Sequence, residues 1–118
     1  MNMRALLALL FLAVSGAGSF AAEISKGAIM VVKPNSLWFE DAAKLTEWQH
    51  LRKSSGTVAF MSYQRNILSG RQAWQFINPR SVKILGYERR KNQITVEMKS
   101  EGRLQGSTWF LDASALAR

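Results

Sequence analysis

Two hydrophobic periods divide the chain. Across residues 41–68 apolar side chains recur every three or four positions, and from residue 71 to 111 they tend to alternate. Ahead of both lies a short continuous apolar run, residues 28–32, stopped by Lys33, Pro34 and Asn35, which predicts a buried strand. Leu37, Trp38 and Phe39 follow that turn and read as extended. Neighbours on a strand point to opposite faces, so one of Trp38 and Phe39 is expected at the surface.

The helical stretch carries its own stop signals. Asp41 is suited to cap the helix formers that follow it. Ala42, Leu45, Trp48 and Leu51 fall on one side, while Lys44, Glu47, Arg52 and Lys53 fall mainly elsewhere. Basic residues in the last turn and Gly56 beyond them suit a C-terminus. A second helix is expected over residues 57–68, with Phe60, Tyr63 and Ile67 as its stripe, widened by Val58, Met61 and Leu68, and Gly70 as its stop. The two form a helical hairpin through Ser54, Ser55 and Gly56.

The alternating stretch predicts strands at residues 73–77, 81–88 and 93–99, with a break at Asn78, Pro79 and Arg80. Ile94, Val96 and Met98 face one way and Thr95, Glu97 and Lys99 the other. Residues 81–88 admit two registers against them. A three-residue loop of Arg89, Arg90 and Lys91 places Val82 and Ile84 inward opposite Met98 and Val96, whereas a four-residue loop brings in Leu85 and Tyr87 opposite Val96 and Ile94. The first is favoured. After a turn at residues 100–102, Leu104 should stand opposite Met98, and a bulge at Gly106 would return Trp109 and Leu111 to the core. Asp112 can cap a last helical turn over residues 113–117. The expected class is α+β: an N-terminal strand and a two-helix hairpin packed on a three- or four-stranded antiparallel meander. The helices should cover one face through Leu45, Trp48, Leu51, Phe60 and Ile67.

Composition changes this picture at the N-terminus. Residues 1–21 have the form of a cleavable leader: Arg4 near the start, an apolar run over residues 5–14, and Ser19-Phe20-Ala21 ahead of a cut between Ala21 and Ala22. The apolar run is about half as long as a bilayer core requires. What remains, residues 22–118, has room for a single small domain. It holds 15 basic against 8 acidic side chains and, like the whole chain, no cysteine. A periplasmic or secreted bacterial protein is therefore expected, stabilised by packing rather than disulfides.

Candidate chemistry is sparse. With no cysteine and one histidine, His50, neither a metal nor a cofactor is expected. Glu40 and Asp41 read as helix-capping charges. No serine lies in a nucleophile elbow, and Gly102 and Gly106 fall within a strand pattern, where phosphate-loop geometry is not available. A small hydrolase using His50 with a carboxylate or serine remains the alternative to a non-catalytic protein.

Charge offers the one suggestive surface. Arg80, Lys83, Arg89, Arg90, Lys91, Lys99 and Arg103 cluster in the last third of the chain. In the favoured register Arg89, Arg90 and Lys91 make a tip, and Lys83 and Lys99 share an outward face. Such a surface attracts an anionic envelope component or an acidic protein face by salt-sensitive steering. Nucleic acid fits export poorly, and membrane contact would be through the leader or peripheral. Trp38 and Trp74 are candidates for an exposed aromatic beside this patch. A secreted effector or inhibitor docking on an acidic protein is a further reading, and the oligomeric state is left open.

The arrangement VKILGYE, turn, QITVEMK, turn, LQGSTWFLD and a helical ASAL resembles the β-meander and closing turn of SH3-like barrels, in particular the bacterial SH3-like modules of exported proteins. The resemblance spans residues 72–116 and implies a partial barrel with a non-catalytic recognition role, towards cell-wall peptide or another envelope protein. The helical hairpin has no standard place in such a barrel, and the acidic aromatic loop of signalling SH3 domains is absent. No ligand residues carry over.

Overall fold

The structure, a computed structural model, describes residues 23–54 and 56–118. The candidate leader and its cut lie outside the described residues. The elements run β1 (Ile29–Val32), β2 (Leu37–Phe39), α1 (Ala42–Ser54), α2 (Thr57–Ser69), β3 (Ala73–Gln75), β4 (Arg80–Glu88), β5 (Gln93–Met98) and β6 (Thr108–Asp112). Short 3-10 turns follow β4 at Arg89–Lys91 and β6 at Ala113–Ala115. The class is α+β. The strands form one antiparallel six-stranded sheet in the order β1-β4-β5-β6-β2-β3, larger than the meander the alternation suggested because β2 and β3 extend it beyond β6.

The sheet has a core on each face rather than one. Val82, Ile84, Ile94, Val96, Met98, Trp109 and Leu111 meet Met30, Val32, Trp38 and Leu116 on one side. On the other, Leu37, Phe39 and Ala73 meet Leu45, Trp48 and Ile67 from the helices, with Phe60, Tyr63 and Phe110 packed around them. The helices thus lie over β2, β3 and β6, not over the inward face of β4 and β5. This corrects the expectation for Trp38 and Phe39. Both are buried because each face has its own cover: Trp38, 1% exposed, enters one core and Phe39 the other.

Local signals set the helix ends. The Ala43 N–H donates to Asp41 Oδ1 at 2.7 Å, so Asp41 does cap α1. Gly56 does not close α1 as expected but sits extended as the residue before α2, and Gly70 ends α2. Trp48 Nε1–H donates to Gln64 Oε1 at 3.0 Å and stitches the hairpin. Val58 and Met61 are exposed, so the buried stripe of α2 is narrower than its sequence suggested. Similarly β1 is buried only at Met30 and Val32. Its Ile29 and Val31 face outward, because neither helix reaches that edge of the sheet.

Between β4 and β5 both registers occur. Val82 pairs with Met98 and Ile84 with Val96, as the favoured frame requires. A bulge between Ile84 and Gly86 then shifts the frame by one, placing Tyr87 opposite Ile94 and Glu88 opposite Gln93. The loop at the tip consequently has four residues, closing through Asn92 in the left-handed region (φ 54°, ψ 42°), a conformation Asn tolerates better than most side chains. Leu104, expected on a strand, lies instead in the loop between β5 and β6 and is exposed. That loop resets the parity: Gly106 (φ 90°) donates its N–H to Met98 O, and β6 starts with Thr108 opposite Glu97, which sets Trp109 opposite Val96. Trp109 packs edge-on against Trp38, Trp74 and Phe76 at centroid distances of 5.9–6.4 Å.

The segment after β6 returns to the first strand. Asp112 caps its 3-10 turn by accepting the Ser114 N–H, and Leu116 then bridges Val32. Lys33 N–H to Ala115 O and Ala117 N–H to Val31 O, each 2.8 Å, complete that contact.

Candidate functional site

The basic residues do not form one patch. The nine residues of β4, about 27 Å from first to last by strand rise, separate Arg80 at its start from Arg89 just past its end. Arg80 lies with Arg103 beside the loop between β5 and β6, where Glu101 shares the hollow and the Arg80 guanidinium stacks on Phe76 at 4.8 Å. Lys83 and Lys99 do share the outward face, but Glu97 stands between them. Glu97 is the cross-strand partner of Lys83 and lies 3.6 Å from the Lys99 ammonium. Arg89 turns over Tyr87 at 5.8 Å.

Arg90 and Lys91 make a different association. They face the last turns of α1, and with His50, Lys53 and Thr46 they surround a hollow of about 240 Å³ floored by Gln49 and Gln93. A smaller hollow of about 60 Å³ adjoins it, sharing Lys53, Arg90 and Lys91 and reaching Arg52 and Asp112. Lys53, Arg90 and Lys91 form no ion pair among the described residues, which include every Asp and Glu of the chain. The site therefore joins two segments about 40 positions apart in sequence. In the sequence Arg52 and Lys53 read only as helix-end charges, and no local pattern links them to Arg90.

A polar network holds these segments together. Gln49 Nε2 donates to Asp112 Oδ1 at 2.6 Å and to Asn92 O at 3.2 Å, while Gln49 Oε1 accepts from Gln93 Nε2 at 2.9 Å. Gln93 Nε2 also donates to Thr46 Oγ1 at 2.9 Å, and the Asn92 side chain reaches Asp112 Oδ2 at 3.3 Å. Arg52 donates to Asp112 Oδ1 at 3.1 Å and lies 4.4 Å over the Trp48 ring, an ion pair and a cation–π contact on one side chain. Burial pushes the Asp112 carboxyl up. Hydrogen bonds from the Ser114 hydroxyl, Gln49 and the Ser114 N–H, with the charge of Arg52, more than offset that and hold it below the usual carboxylate range.

The other candidates separate on burial and partners. Trp38 is buried and cannot meet a partner directly, a correction to its candidacy. Trp74 is half-buried on the edge strand β3, with its Nε1–H donated to Glu40 Oε2 at 3.0 Å. His50 is exposed, and the hollow it lines brings it neither a carboxylate nor a serine. A larger hollow, about 420 Å³, lies elsewhere, between the loop that precedes β2 and the turn after β6, and combines Lys33 with Asp112, Gln64 and Gln75. Among the described residues no three potential metal ligands converge, and no helix is long and apolar enough to cross a membrane.

A scan against protein-family models and searches of curated proteins and of solved structures each find no match. The functional reading therefore rests on the chain's own geometry.

Proposed function

We propose that this chain is an exported, non-catalytic accessory protein of a bacterial envelope, recognising an anionic component or an acidic protein face. The observation that carries the reading is the convergence of Lys53 from α1 with Arg90 and Lys91 from the β4–β5 turn around a hollow lined by no carboxylate. Cations without an internal ion pair raise the local concentration of an anionic partner without first having to leave one. Arg89 extends the surface over Tyr87. Lys83, Lys99, Arg103 and Trp74 fall outside it.

The sheet is, in the same reading, an SH3-like partial barrel. Strands β4, β5 and β6 act as its meander, and Leu116 begins a closing segment against β1. The segment from β2 to β3 is then an insertion that carries the helices. The hollow beside His50 holds the Thr46 hydroxyl but neither a carboxylate nor a serine, the partners the hydrolase alternative calls for, so the binding reading is preferred.

The test is capture of an envelope fraction by tagged protein across a salt series. Substituting Arg89, Arg90 and Lys91 by Glu should abolish salt-sensitive capture. A charge-matched control at the exposed Lys26, Arg65 and Arg71 should retain it. Equal loss in both would reduce the effect to net charge, and retention by the first variant would refute the reading.

A further inference from the structure

The hollows on the described surface differ in the charges that line them. The one of about 420 Å³ sets one cation beside the Asp112 carboxylate, the one near Arg80 and Arg103 includes Glu101, and the one beside Tyr87 has Glu88 and no cation. The hollow of about 240 Å³ between α1 and the β4–β5 turn differs from these in combining three cations with an imidazole and no acid, while the small hollow adjoining it adds Arg52 and Asp112 to the same three cations. We infer that this hollow, bounded by Thr46, His50, Lys53, Arg90 and Lys91, is a binding site for a phosphate monoester or pyrophosphate group. The inference deepens the proposed anionic recognition by naming the class of anion.

Three features favour phosphate over a carboxylate polyanion. The cations come from two elements onto one hollow rather than along a line, which suits a compact anion of more than one charge. A phosphate monoester carries about 1.5–2 negative charges at neutral pH, against one for a carboxylate. The donors are also of the right kinds, since Arg90 offers a planar fork while Lys53 and Lys91 offer mobile point charges.

The floor supports the same assignment. Gln49 Oε1 and Thr46 Oγ1 already accept hydrogen bonds from Gln93, so the Thr46 hydroxyl proton is left to donate. Gln49 Nε2 is engaged by Asp112 and Asn92. Size sets the upper limit. About 240 Å³ falls below the roughly 300–1,000 Å³ of drug-sized pockets and accommodates one phosphate group or two joined. Phosphate of this kind occurs on soluble esters and on lipid headgroups, and the chemistry recognised is shared.

The test uses the protein purified from expression of the full sequence. Inorganic pyrophosphate is titrated calorimetrically and by backbone amide shifts, and phosphatidic acid vesicles are compared with phosphatidylcholine vesicles. Pyrophosphate should bind with shifts centred on Lys53, Arg90 and Lys91. Lys53→Gln and Arg90→Gln should each weaken it at least tenfold, with Lys26→Gln unchanged. All three side chains are exposed, so folding is preserved and checked by thermal melting. Retention on phosphatidic acid vesicles, competed by pyrophosphate, would assign the site to a lipid. Pyrophosphate binding without vesicle retention would assign it to a soluble ester. Absence of both, or equal weakening by Lys26→Gln, overturns the phosphate assignment. If the Arg89, Arg90 and Lys91 variant still loses its envelope capture in that case, anionic recognition stands and only the phosphate class falls.

Discussion

Gln49, late in α1, donates a 2.6 Å hydrogen bond to Asp112 at the end of β6, 63 residues further along the chain. The same side chain holds the Asn92 carbonyl and accepts from Gln93. One carboxamide therefore sets the distance between the helix that carries Lys53 and the turn that carries Arg90 and Lys91. The candidate site is a consequence of how α1 docks.

Removing that carboxamide should loosen the site before it unfolds the protein. Gln49→Leu takes one partner from Asp112, which keeps Arg52, and one from the Gln93 amide, which keeps Thr46, at a cost of about 0.5–1.5 kcal/mol for each hydrogen bond lost. Urea unfolding should show a lowered midpoint with an unchanged slope. Hydrogen exchange should rise first in the last turn of α1.

Asp112 should impose a pH dependence on stability. Its folded carboxyl titrates below its unfolded value. It therefore binds protons more weakly in the native state, and its contribution is complete above the ordinary carboxylate range and lost as pH falls through and below that range. Melting temperatures of the wild type should drop on acidification more steeply than those of Asp112→Asn. The variant should be less stable at neutral pH, because the charged partner of Arg52 is gone. Parallel acid limbs for the two proteins would contradict the network.

Tyr63 offers the opposite sign. Its hydroxyl is buried without a hydrogen-bond partner among the described residues. Burial, together with the charges of Glu47 and Asp41, pushes its ionisation up. Tyr63→Phe removes an unsatisfied polar atom and keeps the ring against the helix-side core, so stability should stay level or rise by up to about 1 kcal/mol. Equilibrium unfolding measures it directly. A marked loss would mean that the hydroxyl has a partner.

The elements were legible because their signals are local. Asp41 caps its helix, Gly70 stops the next, and the alternation of Ile94, Val96 and Met98 sets one face of β5. What escaped was whatever depended on a distant partner. The two registers of β4 could not be told apart because both exist, separated by a bulge that the hydrophobic pattern alone does not mark. Burial of both Trp38 and Phe39 required knowing that the helices cover the far face of β2. The site was half legible. Arg90 and Lys91 were evident as a tip, but the join to His50 and Lys53 arises from a polar network whose members, Gln49, Gln93 and Asp112, look unremarkable in sequence. The outward lysines looked stronger than they are because the position of Glu97 between them appears only once the strands are paired and Lys99 is seen to reach it.

Lysine footprinting tests the central claim most directly, because it needs no prior identity for the partner. The protein is acetylated at limiting reagent with and without the captured envelope fraction, and each lysine is followed by mass spectrometry. Lys53 and Lys91 should be protected together, while Lys26, Lys33 and Lys83 keep their free reactivity. Protection confined to Lys83 and Lys99, or spread evenly over all lysines, would contradict recognition at the junction of α1 and the β4–β5 turn.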